Sequence, residues 1–346
     1  MNELEKILSQ YKKPILIAEV GQAHDGSLGY AHSFIDIVAD SGFDAIKFQT
    51  HIADSESTKD EMFRVNFSYE DEFRYDYWKR MEFSKSQWED LANHAHESGL
   101  MFLSSVFSTD AVDLLTDIKI PMWKVGSGEF LSFELIDKLI ETKKPILIST
   151  GMSSWSEIDR MVDYIRNKKS SVGVFQCTSQ YPTPLDKVGI NIIQEINDRY
   201  DCSTGLSDHS GSVWPSILAI SRGVSFIEVH VANHKKSFGP DTPASLTPDE
   251  LLLISKARDA IIQMDSHPVD KSGVDGSLKN VRQLFTKSIA FTKDMKKGSV
   301  ITSEVLTMKK PGNGLPTTQK NNLIGKVLNK DVNKNILIKY EDVEQS

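Results

Sequence analysis

The chain has 346 residues, 39% of them hydrophobic and 25% charged, and a net charge of −8. That length holds two domains, or one large domain with an appendage. No apolar run approaches the ~20 residues a membrane span needs, and the negative balance disfavours nucleic acid as a partner. Cys177 and Cys202 are the only cysteines. They are too few for a thiolate metal cluster and read better as free thiols. With the polar segment Met1-Asn2-Glu3-Leu4-Glu5-Lys6, this points to a reducing cytoplasm rather than secretion.

Eight short apolar strands are expected between Ile15 and Val231, nearly all ending on a residue capable of chemistry. Glu19 is expected to close the first, Lys47 and Gln49 the second, Ser105 the third, Lys124 with Ser127 the fourth, and Ser149 the fifth. The sixth, Val172 to Gln176, runs into Cys177-Thr178-Ser179-Gln180-Tyr181; Ser207 and His209 close the seventh, and His230 the eighth. Between strands the apolar period becomes helical: Ala31, Phe34, Ile35, Val38; Trp88, Leu91, Ala92, Ala95; Leu131, Leu135, Leu139; Ile158, Met161, Val162, Ile165. Repeated strand–helix units predict an α/β chain with a parallel (β/α)8 TIM barrel, which gathers all strand C-termini at one rim. An open doubly wound sheet is the alternative, but no G-x-G-x-x-G turn follows the first strand.

The connection from Gln49 to the helix near Trp88 is long and rich in acidic and aromatic residues, as loops that cover a site tend to be. The last barrel helix is expected from Pro248 to Met264 with Thr247 as N-cap. These boundaries predict a catalytic barrel over 1–265, a linker over 266–283 and a small, mostly β domain over 284–346. In the last, Ser288-Ile289-Ala290-Phe291 reads as a strand, Lys296-Lys297-Gly298 as a turn, Leu306 to Gly314 as a strand running into a tight loop, and Val332 to Tyr340 as a closing strand. That tail carries 11 Lys against 6 acidic residues, near +5, which leaves the remainder near −13.

His209 and His230 end adjacent staves, where two neutral imidazoles could share one divalent cation and leave positions open for substrate. Lone histidines are more often simply satisfied hydrogen-bonding groups. A closed structural zinc is not expected, because four protein ligands are not in evidence. Lys47 and Lys124, with Ser105, Ser127, Ser149 and Ser207, suit a small phosphorylated or carboxylated ligand, although any one Ser could be a helix cap. Burying an ammonium without an anion is expensive, so the lysines are the stronger signal. Glu19 could take a proton from a substrate hydroxyl or pair with a lysine. Asp241 could accept from a sugar hydroxyl or cap a turn.

Taken together, Ile17-Ala18-Glu19-Val20-Gly21, Ala45-Ile46-Lys47-Phe48-Gln49-Thr50, Trp123-Lys124-Val125-Gly126-Ser127-Gly128-Glu129, Leu147-Ile148-Ser149-Thr150-Gly151-Met152, Tyr181-Pro182-Thr183-Pro184, Gly205-Leu206-Ser207-Asp208-His209 and Phe238-Gly239-Pro240-Asp241 closely resemble the sialic acid synthase family. Lys310-Pro311-Gly312-Asn313-Gly314 and Ile324-Gly325-Lys326 look like that family's C-terminal antifreeze-like (SAF) domain. The resemblance implies condensation of phosphoenolpyruvate with an N-acylated aldose, giving a nine-carbon 2-keto-3-deoxy acid and phosphate. It implies that Lys47, Ser105, Lys124, Ser127, Ser149 and Ser207 bind phosphoenolpyruvate and that His209 and His230 hold Mn²⁺ or Mg²⁺. Gln49, Ser179, Tyr181, Asp241 and Lys310 would face the sugar. Glu19 and Glu129 would join the lysines in catalysis. It also implies a domain-swapped homodimer.

Three positions depart from the family pattern, all on the sugar side. Members acting on N-acetylmannosamine generally carry Arg where Lys310 stands and Asn where Ser179 stands, and often read Phe-Thr after the second histidine, where this chain has Val231-Ala232-Asn233-His234. Lysine cannot reproduce a planar guanidinium fork, so a diacetamido-trideoxy hexose becomes a candidate acceptor. Two other readings compete: a Schiff-base aldolase using Lys47 or Lys124, and a sugar- or anion-binding protein without turnover.

Overall fold

The computed structural model describes residues 2–273 and 275–344. They fall into two compact units, Met1–His267 and Pro268–Ser346. In the first, β1 (Ile15–Gly21), β2 (Ala45–Thr50), β3 (Met101–Val106), β4 (Trp123–Val125), β5 (Ile146–Ser149), β6 (Val172–Cys177), β7 (Ser203–Asp208) and β8 (Phe226–His230) follow one another around a closed barrel. Every pairing is parallel, and β8 closes on β1. The (β/α)8 expectation holds.

Strand alternation explains what the barrel contains. Ile15, Ile17, Ala45, Leu103, Met122, Leu147, Phe175 and Phe226 form one apolar cluster inside it. The helix Glu3–Tyr11 packs Leu4, Ile7, Leu8 and Tyr11 against that floor, and an Asn2–Glu5 capping box starts the helix. Two residues further along each strand, side chains point the same way but nearer the mouth. Ile17 thus gives way to Glu19, Ala45 to Lys47, Leu103 to Ser105, Met122 to Lys124, Leu147 to Ser149 and Phe226 to Glu228. Register aligns the neighbours: Glu19 pairs with Lys47 on one side and with His230 on the other. Gly205 has no room for a side chain, since a Cβ there would lie 2.6 Å from the Phe175 ring.

The outer helices bury the faces the periodicity assigned them, including Phe34, Trp88, Met161 and Ile165. Leu131 is an exception. It is half exposed and precedes the helix Phe133–Glu141, whose buried face is Leu135, Ile136 and Leu139. The final helix runs Pro248–Asp265 from a Thr247–Glu250 capping box. It ties the barrel shut through Arg258, which is buried against the Asp44 carboxylate and the carbonyls of Pro14 and Gly42. The long connection after β2 is folded rather than loose. Its helices Ala53–Glu56 and Arg74–Met81 gather Ala53, Tyr77, Trp78 and Met81, with Phe63, Phe67 and Tyr75 around them.

The second unit pairs β9 (Ser288–Phe291) antiparallel with β10 (Leu306–Lys309) over a core that includes Ile289, Phe291, Ile301, Leu323 and Ile338. The stretch expected to be a closing strand, Val332 to Tyr340, makes single bridges instead, Val332 to Met295 and Leu337 to Ala290. Asn335 between them adopts a left-handed backbone conformation, φ 66°, which breaks the extended run. A helix, Lys279–Phe285, begins inside the segment read as a linker and runs past its end; Val274 within that segment lies outside the described residues, as do Met1, Gln345 and Ser346. No helix among the described residues is long and apolar enough to cross a membrane.

Candidate active site

Glu19, Lys47, Gln49, Ser105, Lys124, Ser127, Ser149, Ser179, Tyr181, Ser207, His209 and His230 line one cavity of about 380 Å³ at the barrel mouth. Sequence positions from 19 to 230 therefore converge as expected. Glu129 and Asp241 are not among its lining residues. Glu129 is half-buried on the turn Ser127–Glu129, and burial, helped by Glu56, pushes its carboxyl upward. Asp241 stands with Oδ2 3.9 Å from His230 Nδ1. Lys310 belongs to the second unit, at the end of β10, with Nζ 5.1 Å from the Phe285 ring centroid.

The deepest polar layer is a buried charge network. Lys47 is ion-paired with Glu19. Its Nζ also donates to Ser105 Oγ at 2.9 Å and lies 3.7 Å from Glu228 Oε1. Lys124 Nζ donates to Glu228 Oε1 at 3.0 Å and to Ser149 Oγ at 2.8 Å. Ser207 Oγ donates to the same Glu228 oxygen at 3.0 Å. Burial alone would strip the proton from Lys47, but Glu19 and Glu228 outweigh it and hold the ammonium above its ordinary range. Burial would likewise raise Glu228, and Lys124 and Lys47 instead hold it well below the usual carboxylate range. Two ammonium and two carboxylate groups thus meet at the base of the cavity, with Lys47 and Glu228 each held in its charged form by the other side of the network.

Above this layer sit the imidazoles, with ring centroids 5.3 Å apart. His209 Nδ1 is 3.0 Å from the Thr178 carbonyl, which fixes the proton on Nδ1 and turns the Nε2 lone pair outward, where the Tyr181 hydroxyl lies 3.0 Å away. Burial pushes His230 down, whereas His209, despite its burial, is held above its ordinary range by Cys177 and the Thr178 carbonyl. Among the described residues no set of three or more His, Cys, Asp and Glu side chains forms a metal cluster. His209 and His230 are the two imidazoles that would hold a divalent ion here. Gly21, at φ 54°, leaves open a point 3.6 Å from each of Gln49 Nε2, Glu19 Oε1 and His230 Cε1.

The sequence reading missed Glu228, Arg64 and Arg74. Glu228 was legible, because Phe226, Glu228 and His230 share one strand face at the period of two. Arg64 and Arg74 come from the long connection and line the same cavity. Arg64 lies over the Tyr181 ring at 5.0 Å, and Arg74 over Trp78 at 4.9 Å. Strand logic says nothing about such residues.

A sequence model of the NeuB family matches residues 34–268, and one of the SAF domain matches 286–344. The chain is 31% identical over 335 residues to the N,N'-diacetyllegionaminic acid synthase of Campylobacter jejuni, covering 95% of this chain and 99% of that protein. It is 30% identical to the enzyme of the same name from Legionella pneumophila, covering 95% and 94%. Among solved structures, the N-acetylneuraminic acid (sialic acid) synthetase of Leptospira borgpetersenii superposes with a TM-score of 0.67 at 26% identity, over 78% of this chain and 90% of that one.

Proposed function

Because the chain belongs to the NeuB family, we propose that it condenses phosphoenolpyruvate with an N-acylated aldose to give a nine-carbon 2-keto-3-deoxy acid and phosphate. The observation that carries this reading is the buried network of Glu19, Lys47, Glu228 and Lys124 in the same cavity as His209 and His230. The lysines and Ser105, Ser127, Ser149 and Ser207 bind the phosphate and carboxylate of phosphoenolpyruvate. The enol carbon attacks the aldehyde carbon of the open-chain sugar, and positive charge develops at C2. Glu19 and Glu228 face that charge from fixed positions. Water adds at C2, losing one proton to Glu19, which passes it to the alkoxide formed from the aldehyde oxygen; phosphate then departs with cleavage of the C2–O bond and carries off the remaining proton of the C2 hydroxyl as the ketone forms. His209 and His230 would hold a divalent ion, Mn²⁺ or Mg²⁺, which would polarise the aldehyde as a Lewis acid.

The raised Lys47 weighs against that residue as the nucleophile of the aldolase alternative, because a Schiff-base lysine must be neutral to attack a carbonyl. For the acceptor, the names of the two relatives and the departures at Ser179 and Lys310 favour a diacetamido-trideoxy hexose leading to a legionaminic-type acid. We carry forward a cytoplasmic homodimer as the assembly, on the free thiols and on the charge contrast between tail and barrel; sedimentation velocity tests the dimer. The deciding assay is phosphate release from phosphoenolpyruvate with Mn²⁺ across a panel of acceptors, with and without chelator. Metal-dependent release with one N-acylated hexose is the expected result. Full activity in chelator returns the aldolase, and binding without release leaves a non-catalytic protein.

A further inference from the structure

The side-chain amide of Gln49 is held by a chain of contacts that begins outside the cavity. His51, two residues on and itself buried, is sandwiched between Trp78 and Phe107, with ring centroids 3.9 Å and 4.4 Å away and planes within 9° and 11° of parallel. Its Nδ1 lies 2.5 Å from Glu56 Oε1. A carboxylate can only accept there, so Nδ1 carries a proton. On its other side His51 Nε2 lies 2.8 Å from Gln22 Nε2 and 3.2 Å from Gln49 Oε1, and Gln22 Nε2 donates to that same Gln49 oxygen. With its oxygen so engaged, Gln49 turns its NH₂ to Glu19 Oε1 at 2.8 Å.

An unrestrained glutamine amide can present either its oxygen or its nitrogen to a ligand. The contacts above decide which. Glu56 and Trp78 both belong to the long connection after β2, so the arrangement also ties that connection to the floor of the acceptor end. Neither Glu56 nor Trp78 lines the cavity, and no step of the proposed chemistry uses them.

We propose that His51 is a positioning residue that, directly and through Gln22, fixes the amide orientation of Gln49 and so sets recognition of the acceptor's hydroxyl and carbonyl oxygens. The proposal rests on the synthase reading of the cavity. His51→Phe keeps a ring between Trp78 and Phe107 and removes both nitrogens. The acceptor KM then rises about tenfold while the phosphoenolpyruvate KM moves less than about twofold. Combined with Gln49→Ala, His51→Phe adds nothing, because its effect passes through Gln49. Equal changes in both KM values, or additive effects of the two substitutions, overturn the proposal. Gln22→Met, which removes the second group on the Gln49 oxygen and leaves His51 paired with Glu56, raises the acceptor KM in the same direction if His51→Phe folds poorly.

A second readout needs no turnover. In a crystal structure of either variant the Gln49 side chain leaves Glu19. Retention of the Gln49–Glu19 contact in both sinks the idea, whereas absence of phosphate release by the unmodified protein with every acceptor sinks only the synthase reading.

Discussion

Lys124 and Glu228 form an ion pair of 3.0 Å with side chains only 3% and 5% exposed, and the second oxygen of Glu228 has no hydrogen-bond partner. A carboxylate in that position is tolerated because two ammonium groups and a hydroxyl surround its other oxygen. Removing it strands Lys124, whereas Lys47 keeps Glu19. Glu228→Ala is expected to lower unfolding free energy by roughly 3–5 kcal/mol, read by urea denaturation. Glu228→Gln keeps the shape and loses less stability, yet turnover falls roughly 10²-fold. Unchanged turnover in Glu228→Gln would show that its charge plays no part in the reaction.

His24 gives the fold an acid-sensitive point. Burial, with His51 and Arg80 adding to it, pushes the imidazole down to about 3 from 6.5, and Nδ1 accepts a hydrogen bond from the Gly26 N–H at 3.1 Å. The sign follows from linkage. As pH falls below 6.5 the unfolded chain takes the proton first, so this stability is complete above 6.5 and erodes by up to about 1.4 kcal/mol per pH unit towards 3. His24→Phe, which preserves packing against Phe48 and Phe83, flattens the profile between pH 6.5 and 4. An unaltered slope in that variant assigns the sensitivity elsewhere.

Occupation of the histidine pair is measurable without substrate. Mn²⁺ at about 100 times its Kd should raise unfolding free energy by about 2.7 kcal/mol. The rise vanishes in His209→Ala and in His230→Ala. A thermal shift that survives both substitutions places the ion at some other site.

Lys310→Arg tests the acceptor. If residue 310 meets the acyl group, restoring the guanidinium fork improves turnover of N-acetylmannosamine about tenfold, or about 1.4 kcal/mol. No change in KM or turnover with any acceptor removes Lys310 from the specificity determinants.

The barrel and its charged interior were legible because two rules act together: parallel strands share one rim, and alternate residues share one face. They place Glu19, Lys47, Lys124, His209 and His230 without any knowledge of contacts. The same rules contain Glu228, which was overlooked only because it lies one step inside a strand end. Leu131 misled because a helical period was extended past the true N-terminus at Phe133. Arg64, Arg74, Glu56 and Trp78 follow from neither rule. Their places depend on how the aromatic residues of the long connection cluster, and such packing has no period to read. Asn335 shows the converse, a local backbone preference interrupting what apolar alternation alone would extend.

The apolar floor of Ile15, Ile17, Leu147, Phe175 and Phe226 makes the barrel a blind well. Whatever is held at the level of Lys47 and Lys124 lies beneath whatever meets Gln49 and His230, and both share the same mouth. Sequence of arrival is then a matter of depth: the ligand of the lysines enters first, and a second molecule seated above it blocks its escape. Steady-state kinetics should therefore show an ordered pattern, with high acceptor concentrations trapping the deeper ligand rather than competing with it.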